Sequence, residues 1–246
     1  MWTHQLLQPL PPYNLFNSHS PSKLTKIPSF AKLNSTQNTK NHNGTLNSTI
    51  LTLEELPPNA LLRKKKEADW IGGFSLGIDL GMARTGLAIS KGFTVRPLTV
   101  LGLRGQKLEL RIMSIAEQEE VDEFIVGLPK SSDGMETTQS NIVRSVAGRL
   151  AVRAAERGWR VYLQDEYGTT TAAMNRMVDM GLSKFTRQKK IDAYAATMVL
   201  ERYFSTSGQK TELVVPKNLE LQGKLRKGPP KDEDFFSDDD VIFDED

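Results

Sequence analysis

Acidic residues stand at three places in the chain where strand or helix patterns could bring their carboxylates together in one site. Asp79 lies near the end of the apolar run FSLGID, the pair Asp165-Glu166 ends the run RVYLQDE, and Asp192 stands in the helical segment KKIDAYAATMVLERYF. Three carboxylates that converge would repel one another unless cations lie between them. Mg²⁺ and Mn²⁺ take oxygen ligands, and two such ions can promote phosphodiester cleavage. The pattern therefore predicts a divalent metal site.

The strand around Asp79 carries little side-chain bulk on one face. Alternation places Asp79 and Gly77 on the face opposite Ile78, while Gly81 stands two residues after Asp79 and Gly86 stands on the next predicted strand. Glycine allows a backbone, a helix or a ligand to come close. We therefore expect this face to admit a metal ion and a phosphate group beside Asp79.

Asp192 shares a helix face with apolar residues, where an unpaired carboxylate is costly. Interaction with the helix dipole is the alternative for Asp192, and a solvated loop is the alternative for Asp165 and Glu166. A cluster of cations precedes Asp192 and could hold nucleic-acid phosphates: Lys184, Arg187, Lys189 and Lys190. A second set forms a helical stripe, which suits either a polyanion or a solvated face: Arg149, Arg153 and Arg157.

The elements that must position these residues alternate between strand and helix from about Ile71 to Pro216. FSLGID, GLAIS and FTVRPLTVL predict a three-stranded antiparallel meander, with Pro97 placing the third strand at an edge. EFIVGLP and RVYLQDE predict two more strands, each followed by a helical pattern. The fold class is therefore α/β, with a mixed five-stranded sheet of a meander plus parallel strands, flanked by helices.

The two ends of the chain differ in composition from this domain. The first fifty residues contain no Asp, Glu or Arg and are rich in Ser, Thr, Asn and Pro. Such a leader is typical of a transit peptide, here for a chloroplast rather than a mitochondrion because arginine is absent; a plain disordered tail is the alternative. Nine acids and one lysine follow from Lys231 onward. We predict a disordered leader over 1–60, a folded domain over 71–216 and a disordered acidic tail over 217–246.

The composition of the 246 residues excludes some kinds of site. The chain has no cysteine, so it can form neither a disulfide framework nor a Cys-ligated zinc site. No apolar run approaches the roughly 20 residues that cross a bilayer, so no membrane partner is predicted.

Four segments in order resemble the motifs of the YqgF/RuvX family of RNase H-like nucleases: GIDLGMARTGLAIS, FIVGLPKSSDGMET, DEYGTTTAA and KKIDAYAATMVLERYF. Members of this family are described as Holliday junction resolvases and as nucleases that mature the precursor of 16S ribosomal RNA. The resemblance covers nearly all of Ser75 to Phe204. It implies an RNase H-like sheet and a hydrolase that needs Mg²⁺ or Mn²⁺.

The resemblance also implies which residues form the site. Asp79, Glu166 and Asp192 are the expected catalytic metal ligands, and Asp133 is a substitute if Glu166 cannot reach past the fourth strand to Asp79. Tyr167 replaces an arginine that is frequent in the family, which removes one phosphate contact or moves it to a neighbour. The expected substrate-binding residues are Arg84, Lys130, Asp133, Gly134, Lys184, Arg187, Lys189 and Lys190.

Two other functions are compatible with parts of this pattern. GIDLG also resembles the first phosphate loop of actin-like ATPases, but the folded unit is short and no second loop of the D-x-G-x-G kind follows. A non-catalytic RNA-binding protein that keeps the fold is the closer alternative. The sequence leaves open whether the substrate is an rRNA precursor or branched DNA. A junction-cutting enzyme needs two active sites, so a homodimer is one expectation.

Overall fold

The computed structural model describes residues 51–65, 73–91 and 94–230; the leader before residue 51 and the acidic tail from residue 231 lie outside these ranges. The described helices are α1 (Asn59–Lys65), α2 (Gly105–Gln118), α3 (Thr138–Ala155), α4 (Thr169–Asp179), α5 (Lys184–Ser205) and α6 (Leu219–Lys227). The described strands are β1 (Phe74–Leu80), β2 (Thr85–Lys91), β3 (Thr94–Leu101), β4 (Val121–Leu128), β5 (Arg160–Asp165) and β6 (Thr211–Leu213). None of these helices combines the length and the hydropathy that a membrane span requires.

The strands form one mixed sheet in the order β3-β2-β1-β4-β5-β6. The strands β1, β2 and β3 are the predicted antiparallel meander, and β4 and β5 continue the sheet in parallel with β1. Pro97 lies in the edge strand β3, as expected. The predicted count of five strands was wrong, because β6 pairs antiparallel with β5 and its three residues are too few to show an alternating pattern.

Apolar side chains fill both faces of the sheet. On one face, Leu76 and Ile78 of β1 join Phe124 of β4 and the buried sides of α2 and α3. On the other face, Ile125 of β4 and Tyr162 of β5 pack against the apolar side of α5. The sheet is thus buried between helices, as the near-continuous apolar runs in β1 and β4 predict.

The helix α5 lies so close to β1 and β2 that no side chain fits at Gly77 or at Gly86. A Cβ atom on Gly77 would lie 2.6 Å from Leu200 Cγ, and a Cβ on Gly86 would overlap the backbone carbonyl of Asp192. Our expectation that these glycines leave room for metal and phosphate was therefore wrong. They leave room for α5, and by doing so they bring Asp192 to the sheet.

The segment 51–65 is packed onto the domain, so the predicted disordered leader cannot extend to residue 60. The buried carboxylate of Glu123 on β4 accepts a hydrogen bond from the Asn59 backbone N–H at 2.8 Å and one from the Tyr203 hydroxyl at 2.7 Å. The Tyr203 hydroxyl in turn accepts from the Ala60 N–H at 2.9 Å. These buried bonds hold the start of α1 against the first residues of β4, at the opposite end of that strand from the candidate site.

The predicted tail boundary at residue 217 was also wrong, because α6 follows it. Leu221 and Leu225 of α6 form a small apolar cluster with Leu51 and Leu56 from the N-terminal segment and with Ala155 at the end of α3. These leucines lie in two short segments far apart in the sequence, so no local pattern reveals this cluster. Only the fold brings the two ends of the domain together.

The arginine stripe on α3 makes ion pairs within the protein. Arg149 and Arg153 both contact the buried carboxylate of Glu109 on α2, at 2.6 and 3.2 Å, and Arg157 contacts Glu117 at 2.6 Å. The stripe therefore joins α3 to α2. Its use as a polyanion surface, one of the two interpretations of the pattern, is not supported.

Candidate active site

The three predicted acids lie near one another at the end of the sheet where the parallel strands β1, β4 and β5 end, since the charge of Asp192 acts on Asp79 and the charge of Asp79 acts on Glu166. Asp79 is the penultimate residue of β1, Glu166 directly follows β5, and Asp192 lies in the first half of α5. Burial and the charge of Asp192 raise the pKa of Asp79 to about 7. The Asp192 side chain is only 22% exposed. It therefore faces the sheet rather than solvent, as the metal hypothesis requires.

Glu166 reaches toward Asp79 by passing over β4. Its carboxylate occupies the space that a side chain at Gly127 would fill, since a Cβ on Gly127 would overlap Glu166 Oε2 and lie 2.9 Å from its Cδ. Burial, followed by the charges of Asp79 and Asp165, raises the pKa of Glu166 to about 8. Because Gly127 of β4 has no side chain, Glu166 at the end of β5 can cross β4 toward Asp79 on β1.

Little positive charge within the described residues compensates these three acids. Arg84, from the turn between β1 and β2, forms an ion pair with Asp192, with its Nε 2.9 Å from Oδ2 but not aligned as a hydrogen bond. Its Nη1 donates to the Gln188 carbonyl at 3.0 Å, which holds Arg84 against the start of α5. Glu166 Oε2 is buried and has no hydrogen-bond partner within the described chain.

The donor set suits a hard divalent cation. Oxygen ligands are what Mg²⁺ and Mn²⁺ prefer, and an unpartnered buried carboxylate oxygen beside a second acid is a site of uncompensated negative charge. Over the described ranges, no group of three or more Asp, Glu, His or Cys side chains is already arranged to hold an ion. Occupation would thus require these side chains to move, including release of Asp192 from Arg84.

Asp165, the other member of the predicted pair, has a structural role. Its Oδ1 accepts from the Tyr167 N–H at 2.8 Å and lies 3.6 Å from Arg202 Nη1, and its Oδ2 lies 3.6 Å from Lys130 Nζ. These contacts hold the turn after β5 and orient Glu166 toward β4. The N-cap of α4 is Gly168, so no side chain caps the start of this helix.

Asp133, the substitute ligand, is engaged in its own loop. Its fully exposed carboxylate accepts hydrogen bonds from the Ser131 hydroxyl and the Met135 N–H. These bonds lower the pKa of Asp133. Gly134 follows with a positive φ of 80°, which suits glycine. Because Glu166 reaches Asp79 over Gly127, Asp133 is not required as a ligand.

The basic cluster lies at the start of α5, next to the acids. Arg187 donates to the Leu182 carbonyl at 2.5 Å and holds the connection from α4 to α5. Lys189 Nζ lies 4.2 Å from the centroid of the exposed Phe185 ring. Lys184, Lys189 and Lys190 are exposed and make no ion pair with any other described residue. These three lysines are therefore the predicted contacts that remain available to phosphates.

Replacing Gly127 with alanine is expected to leave the domain folded and to lower cleavage about 10- to 100-fold. The new methyl group overlaps the carboxylate of Glu166 and lies 3.2 Å from its Cβ. Because the side chain of Glu166 can rotate away while the backbone moves only slightly, the cost to stability is small, but the carboxylate then leaves Asp79. Thermal unfolding and single-turnover cleavage test this. Gly102→Ala is the control, because a Cβ there meets no atom within 4 Å. Full activity of Gly127→Ala would contradict the proposed path of Glu166.

The raised pKa values of Asp79 and Glu166 predict how stability depends on pH in the absence of divalent ions. A carboxyl group whose pKa is higher in the folded state binds its proton more tightly there, so the free energy of unfolding falls as pH rises from about 4 to about 8. For Asp79 this loss is at most about 4 kcal/mol. Denaturant unfolding in EDTA at pH 5 and pH 8 measures it.

Two comparisons test whether the loss of stability at high pH comes from Asp79 rather than from another buried carboxyl group. Burial also raises the pKa of Glu123, which gives a loss in the same direction, but Glu123 lies far from the candidate metal site. The Asp79→Asn variant should show a smaller loss, and Mg²⁺ should restore stability to the wild type at pH 8. A loss of equal size in both proteins would exclude Asp79 as its source.

Two residues of the site were not identified from the sequence. Gly127 stands inside the predicted strand EFIVGLP, and a glycine inside a buried strand is itself a sign of close approach. Arg202 was not singled out, yet its guanidinium donates to the carbonyls of Asp165 and Tyr167 at 3.0 and 2.8 Å. No local signal identifies Arg202, because α5 and the turn after β5 meet only in the folded chain.

The folded part of the chain is similar to known proteins. Residues 73–206 match the family model described as "RuvX: Holliday junction resolvase". Proteins named "Putative pre-16S rRNA nuclease" from Moorella thermoacetica and Anaeromyxobacter sp. are 34% and 37% identical over 137 and 129 residues. These alignments cover 54% and 51% of this chain and 96% and 92% of the relatives.

The solved structures that are similar include one of Thermus thermophilus RuvC in complex with a Holliday junction substrate. It shares 17% sequence identity with a TM-score of 0.40, and the match covers 57% of this chain and all of that one. The family match spans more than half of the chain, from β1 to the end of α5, and includes all three acids of the candidate site. The chain therefore belongs to the RuvX family of nucleases.

Proposed function

We propose that this protein is a divalent-metal-dependent endonuclease that acts on structured nucleic acid. The observation that carries this proposal is the position of Glu166, which passes over Gly127 and presents an unpartnered buried oxygen beside Asp79. A structural carboxylate would be expected to have its own partners. An acid held without them at a sheet edge, next to two more acids, is suited to binding cations.

Asp79, Glu166 and Asp192 are the residues that would hold Mg²⁺ or Mn²⁺. Such ions supply an activated water and stabilise the leaving oxygen in phosphodiester hydrolysis. The protein's own contribution is positional: Gly77 and Gly86 let α5 bring Asp192 to the sheet, and Asp165 orients the turn that carries Glu166. Arg84 pairs with Asp192 in the metal-free site and would release it when an ion binds.

The substrate that we favour is the precursor of 16S rRNA, with cleavage at its 5′ end during ribosome biogenesis. The relatives named for this substrate are 32–37% identical and are covered over 92–96% of their length, which supports the choice. Resolution of Holliday junctions is the second candidate, because the family model carries that description. The junction reaction would need a homodimer to supply two sites.

A cleavage assay distinguishes these reactions. The purified protein is given a stem from an rRNA precursor and a four-way DNA junction, each with Mg²⁺, Mn²⁺ or EDTA. We expect metal-dependent cleavage of the RNA stem and little cleavage of the junction. Cleavage of the junction alone, by a dimer, would favour the resolvase. Binding of the RNA without cleavage in either metal would favour a non-catalytic RNA-binding protein.

Replacing Lys189 and Lys190 together with alanine should weaken substrate binding about tenfold at raised salt. Each lost phosphate contact reduces the slope of log affinity against log salt by about one. The single-turnover rate at saturating substrate should change much less, because such contacts act mainly through affinity. Lys107→Ala on the exposed side of α2 is the control. An equal loss in this control would argue against a specific role for the cluster.

We also propose that the protein works in a chloroplast, with a mitochondrion as the alternative. The acid-free, arginine-free composition of the first fifty residues supports this. Because Leu51, Leu56 and Ala60 are buried, a mature protein should begin before Leu51. Sequencing the N-terminus of the protein isolated from its native source tests the proposal. An intact leader on cytosolic protein would contradict it.

A further inference from the structure

A cleft of about 500 Å³ lies directly beside the candidate active site, and the metal-dependent reaction makes no use of it. Asp165 and Tyr167, which flank Glu166 in the chain, form part of its wall. The remaining wall comes from β5, from α5 and from the residues around β6 and the end of β4. Its volume falls within the range of ligand-binding pockets. The residues that matter below are Lys130, Gln164, Tyr167, Arg202 and Lys210.

Gln164 gives the cleft a buried acceptor that nothing in the described chain satisfies. The residue is 1% exposed, its Nε2 donates to the Asp165 carbonyl at 3.3 Å, and its Oε1 has no hydrogen-bond partner. A buried acceptor without a donor is costly and uncommon in native proteins. A ligand that supplies an N–H or O–H to this oxygen would remove the cost.

Tyr167 gives the cleft an aromatic surface on a fixed backbone. The residue is 54% exposed, while its N–H donates to Asp165 Oδ1 at 2.8 Å and its carbonyl accepts from Arg202 Nη2 at 2.8 Å. A large exposed ring on a backbone held at both ends can stack with little loss of entropy. Every nucleobase has a face that stacks on such a ring.

The charge of the cleft suits a phosphate. Arg202 is occupied by the turn carbonyls, and Lys130 lies 3.6 Å from Asp165. Lys210 makes no ion pair with any residue that the structure describes. The cleft contains three basic side chains and one acid, Asp165, so its surface next to the Tyr167 ring is positively charged. An acceptor, a ring and a cation within one cleft are the contacts that a nucleotide requires.

We propose that this cleft binds one unpaired nucleotide of the substrate strand, adjacent to the cleaved phosphodiester. The base stacks on Tyr167, a base N–H donates to Gln164 Oε1, and Lys210 contacts a neighbouring phosphate. This inference rests on the proposed nuclease function and narrows its substrate class. The preferred substrate is a stem with a single-stranded flank rather than a continuous duplex, because a paired base would first have to give up its pairing and stacking to enter the cleft.

Equilibrium binding in EDTA tests the proposal without cleavage. The probes are an RNA stem with a single-stranded flank that contains 2-aminopurine, the same stem with a blunt end, and a free nucleoside monophosphate. We expect the flanked stem to bind the wild type about tenfold more tightly than the blunt stem, with quenching of the 2-aminopurine fluorescence. Tyr167→Ala should remove both the preference and the quenching, while Tyr167→Phe, which keeps the ring, should retain both.

Two further variants test the other contacts. Gln164→Leu is similar in size and should lower the preference for the flanked stem, and Lys210→Gln should lower affinity more than Lys107→Gln does. Equal binding of flanked and blunt stems by the wild type would overturn the proposal. So would binding of the free nucleotide as tight as that of the flanked stem, since the cleft would then be a small-molecule site. Quenching without cleavage in Mg²⁺ would support the cleft while refuting the nuclease.

Discussion

Replacing Asp79 with asparagine is expected to abolish divalent-dependent cleavage, with a loss of about a thousandfold or more, and to leave the fold intact. Asparagine has nearly the same size, so its packing on β1 hardly changes, but it lacks the charge that holds a hard cation. Losing the contribution of a catalytic metal removes several kcal/mol of transition-state stabilisation, which corresponds to a loss of that size. Single-turnover cleavage with Mg²⁺ and with Mn²⁺ measures the effect.

The Asp79→Asn variant is expected to lose activity but to gain stability. Because burial and Asp192 raise the pKa of Asp79, the charged carboxylate destabilises the folded protein at pH 8 when no cation is bound. Asp79→Asn should therefore unfold at a higher temperature than the wild type in EDTA at that pH. Mg²⁺ should stabilise the wild type more than the variant. Cleavage that survives the substitution would place the active site elsewhere.

Replacing Gly86 with alanine is expected to destabilise the domain by at least about 3 kcal/mol. The new Cβ would overlap the backbone carbonyl of Asp192 and lie 2.6 Å from the Ala193 nitrogen, and backbone cannot move aside as a side chain can. The helix α5 would have to shift away from β2, carrying Asp192 with it. Denaturant unfolding measures the loss, and a substantial fall in cleavage should accompany it.

Gly148→Ala is the matched control for this substitution. Gly148 lies inside α3, where a Cβ meets no heavy atom within 4 Å, so alanine should stabilise the helix by up to about 1 kcal/mol. If Gly86→Ala accumulates only as insoluble protein while Gly148→Ala is soluble, the close packing of α5 on β2 is supported. Wild-type stability of Gly86→Ala would contradict it.

The sheet, its meander and the helix carrying Asp192 could be predicted because their signals are local. Alternation over β1, the continuous apolar run of β4 and the apolar face of α5 each lie within one segment. Asp79 and Asp192 could be selected for the same reason, since each stands out as a carboxylate in an apolar or glycine-containing run. The choice of Glu166 over Asp165 came from the family resemblance. How the three acids approach one another depends on several distant segments. There the structure differs from our expectation, because Gly77 and Gly86 make room for α5 rather than for metal and phosphate.

The features that could not be predicted depend on contacts between distant segments. Glu123 reads as an ordinary strand residue, and only the approach of Asn59 and Tyr203 makes it a buried, fully bonded carboxylate. The leucines at positions 51 and 221 belong to stretches whose composition indicates disorder, yet they bury one another across the domain. Glycines were the most ambiguous signal, because the sequence shows that space is needed but not what fills it.

The most direct test of the account is whether Asp79, Glu166 and Asp192 bind one common set of divalent ions. Calorimetric titration of Mn²⁺ into the full-length protein at pH 8 measures this without requiring a substrate. We predict binding to the wild type and its loss in each of Asp79→Asn, Glu166→Gln and Asp192→Asn, with Asp133→Asn binding as the wild type does. Binding that persists in all three variants, or that is lost only in Asp133→Asn, would contradict the proposed site.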